Sequence, residues 1–247
     1  MTCCYICESG NIKRYNKVND FNILKCKNCN LLWVGDDIDD NIINNFYNEN
    51  YYNSNDKTGY NDYNESENLH RKNAKSLIKI INKTINIKGK KILDIGCASG
   101  FYLDEFRKKG CDVCGIEVSS YAYKYAKEKM NLNVINSEFK PDLFSENYFD
   151  IVLLLGTIEH LIDPKSILSQ ISKIMKDEGL LVITTIDING LIPIYMLKPP
   201  EHLFYFNHNN FIKLLKSAKF RKLVLKSYFV NYYIYDLFFR LSKVIKV

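Results

Sequence analysis

The chain has 247 residues, of which 47% are hydrophobic and 25% are charged, and its formal net charge is +6. This size predicts one α/β domain with a small appendage, and the modest charge argues against a nucleic acid as the main partner. No apolar run approaches the roughly 20 residues of a membrane-spanning helix, and no signal peptide is evident. The eight cysteines therefore indicate reduced thiols, some of them holding a metal, in a cytoplasmic protein.

The first predicted unit is a zinc ribbon over residues 1–35. Two CxxC pairs mark it: Cys4, Cys7, Cys26 and Cys29. Each pair can place two thiolates on a tight turn, and two turns make a four-thiolate site for which Zn²⁺ is the expected metal and iron an alternative. Ordinary buried cysteines are the other interpretation. A third pair, Cys111 and Cys114, falls in a predicted strand whose alternation separates the two side chains, so we assign it no metal.

Residues 36–88 predict a helical lead-in to the main domain. It comprises a short helix at 39–47, a loop rich in Tyr and Asn at 51–63, and a helix at 65–86 with apolar residues at helical spacing. The lead-in either forms a lid over a ligand or packs as a plain cover on the sheet. We expect His70, near the start of the second helix, to face solvent.

A nucleoside site is predicted where the main domain begins. The apolar strand Lys91–Ile95 breaks into a turn at Gly96 and Gly100, which have no Cβ and let backbone approach a ligand closely. A second strand, Asp112–Ile116, ends at Glu117. A carboxylate at the tip of the second parallel strand is placed to accept hydrogen bonds from both hydroxyls of a ribose.

The glycine turn resembles motif I of the class I S-adenosylmethionine-dependent methyltransferases, usually written D/E-x-G-x-G-x-G. Asp94, Gly96 and Gly100 match this motif, and Ala98 stands in place of its middle glycine. An acid before the glycines suits a ligand with a cationic end, whereas a dinucleotide fingerprint aims a helix at a pyrophosphate. A plain strand-to-helix turn of another doubly wound protein is the alternative. The resemblance implies an S-adenosylmethionine site formed by Asp94, Gly96, Cys97, Ala98, Gly100, Glu117, Val118, Leu155 and Gly156.

Two further segments resemble the same enzymes, in a group that includes many O-methyltransferases. Residues 156–164 (GTIEHLIDP) follow a predicted strand at 148–155, and residues 200–207 (PEHLFYFN) repeat the Glu-His pair. Asp163 and Asn207 are predicted N-caps. The remaining predicted elements are helices at 165–175 and 209–218 and strands at 180–185 and 222–227. The resemblance implies a doubly wound, mostly parallel, Rossmann-like α/β core over 89–227.

Histidine is the expected general base, because methyl transfer to a hydroxyl requires proton removal near neutral pH. His160 follows the fourth strand of the core, and His202 lies in the connection that overhangs the substrate in enzymes of this kind. Both are candidate bases, and Glu159 assists or orients one of them. A structural role in bonding backbone groups is the alternative for both histidines. Asp187 is a weaker candidate base, and we expect His208 to face solvent.

The methyl acceptor is inferred by exclusion. The loop after the fourth strand lacks the N/D-P-P-Y/F motif of many amine methyltransferases and the Pro-Cys element of cytosine C5 enzymes. A four-cysteine ribbon with two Glu-His segments resembles bacterial methyltransferases of nucleotide sugars and surface glycans, which implies O-methylation of a sugar. Another small molecule, or an RNA held by the ribbon, are the alternatives. The basic residues of the ribbon are only a minor excess.

The last predicted unit is an aromatic and basic tail at 228–247. Its apolar residues recur at near-helical spacing, which is typical of an amphipathic helix. Such a helix can contact a membrane surface, form a homodimer interface or pack on its own domain.

Overall fold

The computed structural model describes residues 2–38, 42, 63–189, 197–226 and 230–231. Its strands are β1 (Ile12–Val18), β2 (Phe21–Cys26), β3 (Leu32–Val34), β4 (Lys91–Ile95), β5 (Asp112–Ile116), β6 (Val134–Ile135), β7 (Phe149–Leu155), β8 (Met175–Thr184) and β9 (Phe204–Tyr205). Its α-helices are α1 (Glu67–Ile81), α2 (Phe101–Arg107), α3 (Ser120–Lys124), α4 (Pro164–Ile174) and α5 (His208–Ser217). A π-helical turn occupies Tyr125–Lys129, and 3₁₀ turns occupy Pro141–Leu143 and Ile158–His160.

The main sheet is parallel and has the order β6-β5-β4-β7-β8. The chain starts in the centre at β4, winds outward through β5 and β6, then crosses back to β7 and β8. This is the expected doubly wound α/β fold. In such sheets the ligand crevice opens at the carboxyl ends of the strands, where the winding reverses direction. Here the reversal lies between β4 and β7, so these two strands deliver their following loops to one place.

Burial explains why β4 and β7 take the centre. Four of the five residues of β4 and six of the seven of β7 are buried, as expected for parallel strands covered by helices on both faces. The predicted strands at 91–95 and 112–116 coincide with β4 and β5. The strand predicted at 180–185 begins five residues earlier, because Met175 already pairs with Phe149 before the register shifts.

Both predicted helix caps are confirmed. The Asp163 side chain accepts a hydrogen bond from the Ser166 N–H at 2.9 Å, at the start of α4. Asn207 forms a reciprocal capping box with Asn210 at the start of α5. The two caps fix where the chain enters each helix after β7 and β9. They therefore hold the ends of the two loops that carry the Glu-His pairs.

The prediction of a strand at 222–227 is wrong for the part that the structure describes. Residues 222–226 form no strand, and Val224 is 74% exposed. Their apolar and polar residues alternate as in a strand, but alternation gives no strand without a neighbour to supply ladder hydrogen bonds. The predicted helix at 39–47 and loop at 51–63 lie outside the described residues except for Ile42 and Tyr63. The tail at 228–247 also lies outside them except for Val230 and Asn231.

The amino-terminal ribbon joins the main domain through a second sheet. This antiparallel sheet has the order β1-β2-β3-β9, and its last strand comes from the segment at 200–207. Trp33 of β3 is fully buried in an apolar cluster that also contains Phe149 and Leu168 of the main domain. The second Glu-His pair therefore lies directly beside a strand that completes the ribbon.

Helix α1 covers the other side of the cofactor turn and is shorter than the predicted 65–86. Its Arg71 pairs with Asp104 at 2.6 Å and with Glu105 at 2.8 Å, which ties α1 to α2. The prediction that His70 faces solvent is wrong. Its ring stacks on Tyr63, with centroids 4.1 Å apart, because the chain before α1 folds back over the helix. Among the described residues, no helix has the length and apolar character needed to cross a bilayer.

Candidate active site

The glycine turn after β4 begins with a buried carboxylate. Asp94 is 2% exposed, and its Oδ1 has no hydrogen-bond partner within the described residues. Burial, and then the negative charge of Glu117, raise the pKa of Asp94 to about 7. A buried acceptor without a partner is costly in a folded protein, so its persistence indicates a ligand that donates to it.

The two glycines of the turn allow a neighbouring loop to approach the backbone closely. Gly96 and Gly100 both have a φ of +80°, the left-handed region that favours glycine. A Cβ at Gly96 would lie 2.8 Å from Oγ1 of Thr157, the residue that begins the second loop. The hydroxyl of Thr157 donates to the Ile95 carbonyl at 3.1 Å. The close approach at Gly96 thus lets the loop after β7 fasten onto the cofactor turn.

Glu117 is held in one orientation by backbone. One of its carboxylate oxygens accepts from the Ala98 N–H and the other from the Ser119 N–H, each at 2.8 Å. The Ala98 bond draws the glycine turn against the end of β5. A carboxylate oxygen can accept two hydrogen bonds, so ribose hydroxyls can add to these contacts. The neighbouring Val118 is exposed and offers an apolar surface beside them.

Cys97 packs into the interior of the main domain. It is 5% exposed and lies in an apolar cluster with Leu103 and Ile92. Burial raises the pKa of its thiol well above the usual value, and the charges of Asp94 and Glu117 add to this effect. A thiol held in its neutral form is a poor nucleophile. On the other side of the site, Gly156 has open space around its Cα and a φ of +65°.

The two Glu-His pairs come together at the carboxyl end of β7. The 3₁₀ turn Ile158–His160 receives a backbone hydrogen bond from Leu203 to the carbonyl of Glu159, at 2.8 Å. The rings of His160 and His202 meet edge to face with centroids 4.8 Å apart. One polar side-chain atom from each of Glu159, His160 and His202 lies within 4.8 Å of the others. The structure thus brings together the three predicted catalytic residues, which are 43 positions apart at the extremes.

A backbone contact fixes the tautomer of His160. Its Nδ1 lies 2.6 Å from the carbonyl oxygen of Glu201, and a carbonyl oxygen can only accept. Nδ1 therefore carries the proton, and Nε2 of the neutral ring holds the lone pair that a base needs. His160 is partly exposed, whereas His202 is buried. Of the two candidate bases, His160 therefore has the more accessible ring.

Glu159 is fully enclosed. Burial is the main cause that raises its pKa, and the hydroxyl of Thr185 donates to its Oε2 at 3.1 Å. Asp187, the weaker candidate base, is exposed and accepts from the backbone of Asn189. His208 is exposed, as predicted. The sequence analysis did not predict two groups that position the site: the Glu201 carbonyl, which contacts His160, and Thr157, which contacts the glycine turn. The repeat of the Glu-His dipeptide was a signal for the first, and nothing in the sequence marked the second.

The four ribbon cysteines converge on one point. Cys4 and Cys29 have their sulfurs 3.5 Å apart, as have Cys7 and Cys26, and all four sulfurs lie within 4.8 Å of one another. Tetrahedral zinc with bonds of about 2.3 Å requires sulfurs roughly 3.8 Å apart. The four thiols therefore have the spacing of a closed structural zinc site. The Cys29 carbonyl also accepts from the amides of Asn207 and Asn210, at 3.2 and 3.4 Å.

Comparison with known proteins decides the family. A family described as a methyltransferase domain matches residues 66–225, well over half of the chain. The chain belongs to this methyltransferase family. The match starts beside α1 and ends after α5, so it contains the glycine turn and both Glu-His pairs. The chain thus carries the methyltransferase domain of this family.

Relatives of the methyltransferase include named enzymes. It is 30% identical to a ubiquinone biosynthesis O-methyltransferase of Glaesserella parasuis over 57% of this chain and 63% of the relative. For the enzyme of that name in Coxiella burnetii the identity is 27%, over 51% and 56%. The chain thus spans less than two thirds of these relatives.

Solved structures share the fold of the methyltransferase. A S-adenosylmethionine-dependent methyltransferase of Archaeoglobus fulgidus has a TM-score of 0.52 and 22% identity, over 65% of this chain and 76% of that one. A methyltransferase of Aquifex aeolicus has a TM-score of 0.50 at the same identity, over 65% and 84%. At this identity the likeness establishes the fold alone.

Proposed function

We propose that the protein transfers a methyl group to a sugar hydroxyl of a nucleotide sugar or surface-glycan unit, with His160 as general base. The observation that carries the proposal is the contact between His160 Nδ1 and the Glu201 carbonyl, which leaves Nε2 as the basic atom. His160 lies in the loop after β7, and that loop is fastened by Thr157 to the glycine turn. The base and the donor site therefore share one edge of the sheet.

The residues of the turn fit the methyl donor. The unpartnered Oδ1 of Asp94 suits a cationic donor group, Glu117 suits the ribose, and exposed Val118 suits the flat face of adenine. Gly96, Ala98, Gly100, Leu155 and Gly156 supply backbone and space. When bound, S-adenosylmethionine supplies an activated methyl group. The protein's own task is to align a hydroxyl with that methyl group and to exclude water.

The hydroxyl becomes a better nucleophile as its proton moves to Nε2 of His160. The Glu201 carbonyl then stabilises the charged ring through Nδ1–H, without any movement. His202 packs edge-on against His160 and limits its rotation. Glu159 lies beside both rings, where its carboxyl group can stabilise the positive charge. The proposal thus gives each member of the cluster a separate role.

We further propose that Cys4, Cys7, Cys26 and Cys29 hold a structural Zn²⁺. The spacing of the sulfurs supports this metal, which would stabilise a ribbon too small to fold alone. The proposal includes a reducing compartment such as the cytoplasm, because thiolates must stay reduced to bind zinc. No reaction step is assigned to this metal.

A second candidate function is O-methylation in ubiquinone biosynthesis. The names of the sequence relatives support it, and a phenolic hydroxyl would use the same base. The two candidates differ in the acceptor, since a nucleotide sugar is anionic and a quinone precursor is aromatic. In both cases the partner is a small molecule and not RNA.

Incubation with labelled S-adenosylmethionine and a panel of nucleotide sugars, glycan fragments and phenolic quinone precursors separates these candidates. We expect labelled product from a nucleotide sugar or glycan; label only in a phenol would replace the first proposal by the second. With the accepted substrate, His160→Ala should lower kcat by about 10²–10⁴-fold. The matched control is Lys173→Ala, an exposed residue of α4 outside the site. Unchanged turnover in His160→Ala would refute the histidine base.

A further inference from the structure

A groove separates the ribbon from helix α5. Its volume is about 860 Å³, and its walls come from β1, β2, the first residues after β8 and the exposed side of α5. We call it the lysine groove, after Lys25, Lys213 and Lys216, which line it. His208 and Tyr15 complete the side chains on which the inference rests.

The charge of the lysine groove has one sign. No aspartate or glutamate lines it, and within the described part of the chain none of its three lysines forms an ion pair. Elsewhere the pattern differs: Lys90 and Lys176, for example, share Asp150. A concave surface of uncompensated positive charge attracts anions.

Two lysines of the ribbon lie opposite each other, which places like charges close together. Lys13 of β1 lies directly opposite Lys25 of β2 in the antiparallel pairing. Like charges in opposite positions of two strands destabilise a sheet, and an anion bound between or beside them removes that cost. The positive field of the groove thus extends along the hairpin.

The remaining groups of the groove suit a nucleotide. Six asparagines line it, and the exposed amides of Asn28, Asn30, Asn189 and Asn209 can donate to phosphate or hydroxyl oxygens. Tyr15 is 47% exposed, and the Lys25 ammonium lies 5.7 Å from its ring centroid. An exposed ring beside cations offers a base a surface on which to stack and its phosphates a counter-charge.

One segment of the chain connects the wall of the groove with the candidate active site. The Ile188 N–H, from a residue in its wall, donates to the Phe206 carbonyl at 2.9 Å, which brings the end of β8 against the chain after β9. Thr185, three residues earlier, contacts Glu159. His202 and His208 lie at the two ends of one short segment through β9. The groove and the candidate base are therefore supported by the same two stretches of chain, the end of β8 and the segment through β9.

We propose that the lysine groove binds the nucleoside diphosphate part of a nucleotide-sugar acceptor, and so selects acceptors by their anionic carrier. The inference rests on the proposed O-methylation and specifies its acceptor. Lys213 and Lys216 contact the phosphates from α5, and Lys25 contacts them from the ribbon. Tyr15 lies where the base would stack.

The test measures binding of UDP, TDP and GDP by calorimetry, with the donor site saturated by S-adenosylhomocysteine to exclude the nucleosides from it. We expect one of them to bind, and Lys213→Gln/Lys216→Gln to weaken it about tenfold. The matched control is Lys165→Gln/Lys173→Gln, two exposed lysines of α4 outside the groove. Donor affinity should stay unchanged in both variants. Lys25→Gln should also weaken binding.

Several outcomes would refute the proposed diphosphate site. They are no binding of any nucleoside diphosphate, binding no tighter than that of inorganic phosphate, an equal loss of affinity in Lys165→Gln/Lys173→Gln, or preferential retention of an RNA oligonucleotide. These results do not depend on catalysis. Methylation of neutral glycans without diphosphate binding would refute the groove and leave the proposed function intact. Diphosphate binding without methylation of any nucleotide sugar or glycan would confirm that the groove binds diphosphates and refute the proposed function.

Discussion

At the scale of single residues, the site depends on buried carboxylates. Asp94, Glu117 and Glu159 are each under 5% exposed and all lie just at or after the carboxyl ends of strands. Burial disfavours the charged form of each group unless hydrogen bonds or a ligand compensate. Glu117 has two backbone donors, whereas Asp94 has none on its Oδ1. Asp94 is therefore the residue whose protonation should respond most to the donor.

We predict that donor binding titrates Asp94. Below its pKa of about 7 the group is mostly neutral in the free protein, and a cationic ligand favours the carboxylate. Affinity for S-adenosylmethionine should therefore fall as pH falls from about 7 to 5.5, and binding near pH 6 should release close to one proton. Calorimetry in two buffers of different ionisation enthalpy measures this release.

Asp94→Asn is the variant for that measurement, since it keeps the shape and removes the charge. It should bind the donor more weakly and release no proton. The stability of the free wild-type protein should depend on pH in the opposite direction to donor affinity. The unfolded chain loses the proton near 3.8 and the folded chain near 7, so the free energy of unfolding falls as pH rises between these values. Donor affinity that is constant from pH 5.5 to 8 would contradict the prediction.

Ala98 gives a second prediction at this scale. It replaces the middle glycine of the motif at a φ of +48°, where an L-residue costs roughly 1–2 kcal/mol. Ala98→Gly should therefore stabilise the protein, by under ~1 kcal/mol after the entropy of glycine is subtracted, or about 2–4 °C in Tm. Ala74→Gly, inside α1, is the control and should destabilise by about 1 kcal/mol. Calorimetric Tm values decide between them, and a lower Tm for Ala98→Gly would show that the turn is unstrained.

At the scale of elements, the sequence predicted what is local and periodic. The buried strands β4, β5 and β7 and the caps Asp163 and Asn207 follow from apolar runs and capping chemistry, and they occur where expected. Only the repeated Glu-His dipeptide in the sequence indicated that His160 and His202 lie close together. The pairing of β3 with β9 had none, because antiparallel neighbours far apart in sequence leave no periodic trace. At 222–226 the sequence alternates as in a strand, but no strand forms there, because alternation does not show whether a pairing strand is present.

Helix α1 carries a prediction on acid stability. Burial lowers the pKa of His70 to about 4, and its Nε2 has no hydrogen-bond partner within the described residues. The unfolded chain binds this proton near pH 6.5, so the free energy of unfolding should fall as pH drops from 6.5 to 4. His70→Phe keeps an aromatic ring stacked on Tyr63 and should remove the part of this pH dependence that comes from His70. Urea unfolding at several pH values measures it, and equal pH slopes for variant and wild type would exclude His70 as a cause.

At the scale of the whole molecule, the ribbon is part of the architecture around the two Glu-His pairs. Its strands share a sheet with β9, its apolar residues join the cluster beneath α4 and α5, and the Cys29 carbonyl binds the cap of α5. The glycine turn is held differently, by α1 and α2 and by a second apolar cluster on the other face of the sheet. The two halves of the site therefore depend on different parts of the chain.

This division predicts how metal removal acts. Purified protein should contain one zinc per chain, and chelation should abolish turnover and lower Tm while donor affinity changes less than about threefold, because the ribbon supports β9 and His202 but not the glycine turn. Hydrogen exchange should show lost protection at residues 203–206. Cys29→Ser should reproduce these effects, whereas Cys111→Ser, a buried thiol outside the four, should keep its zinc. If the chelated protein kept full protection at 203–206, the ribbon would be an independent appendage, and the loss of activity would need another cause.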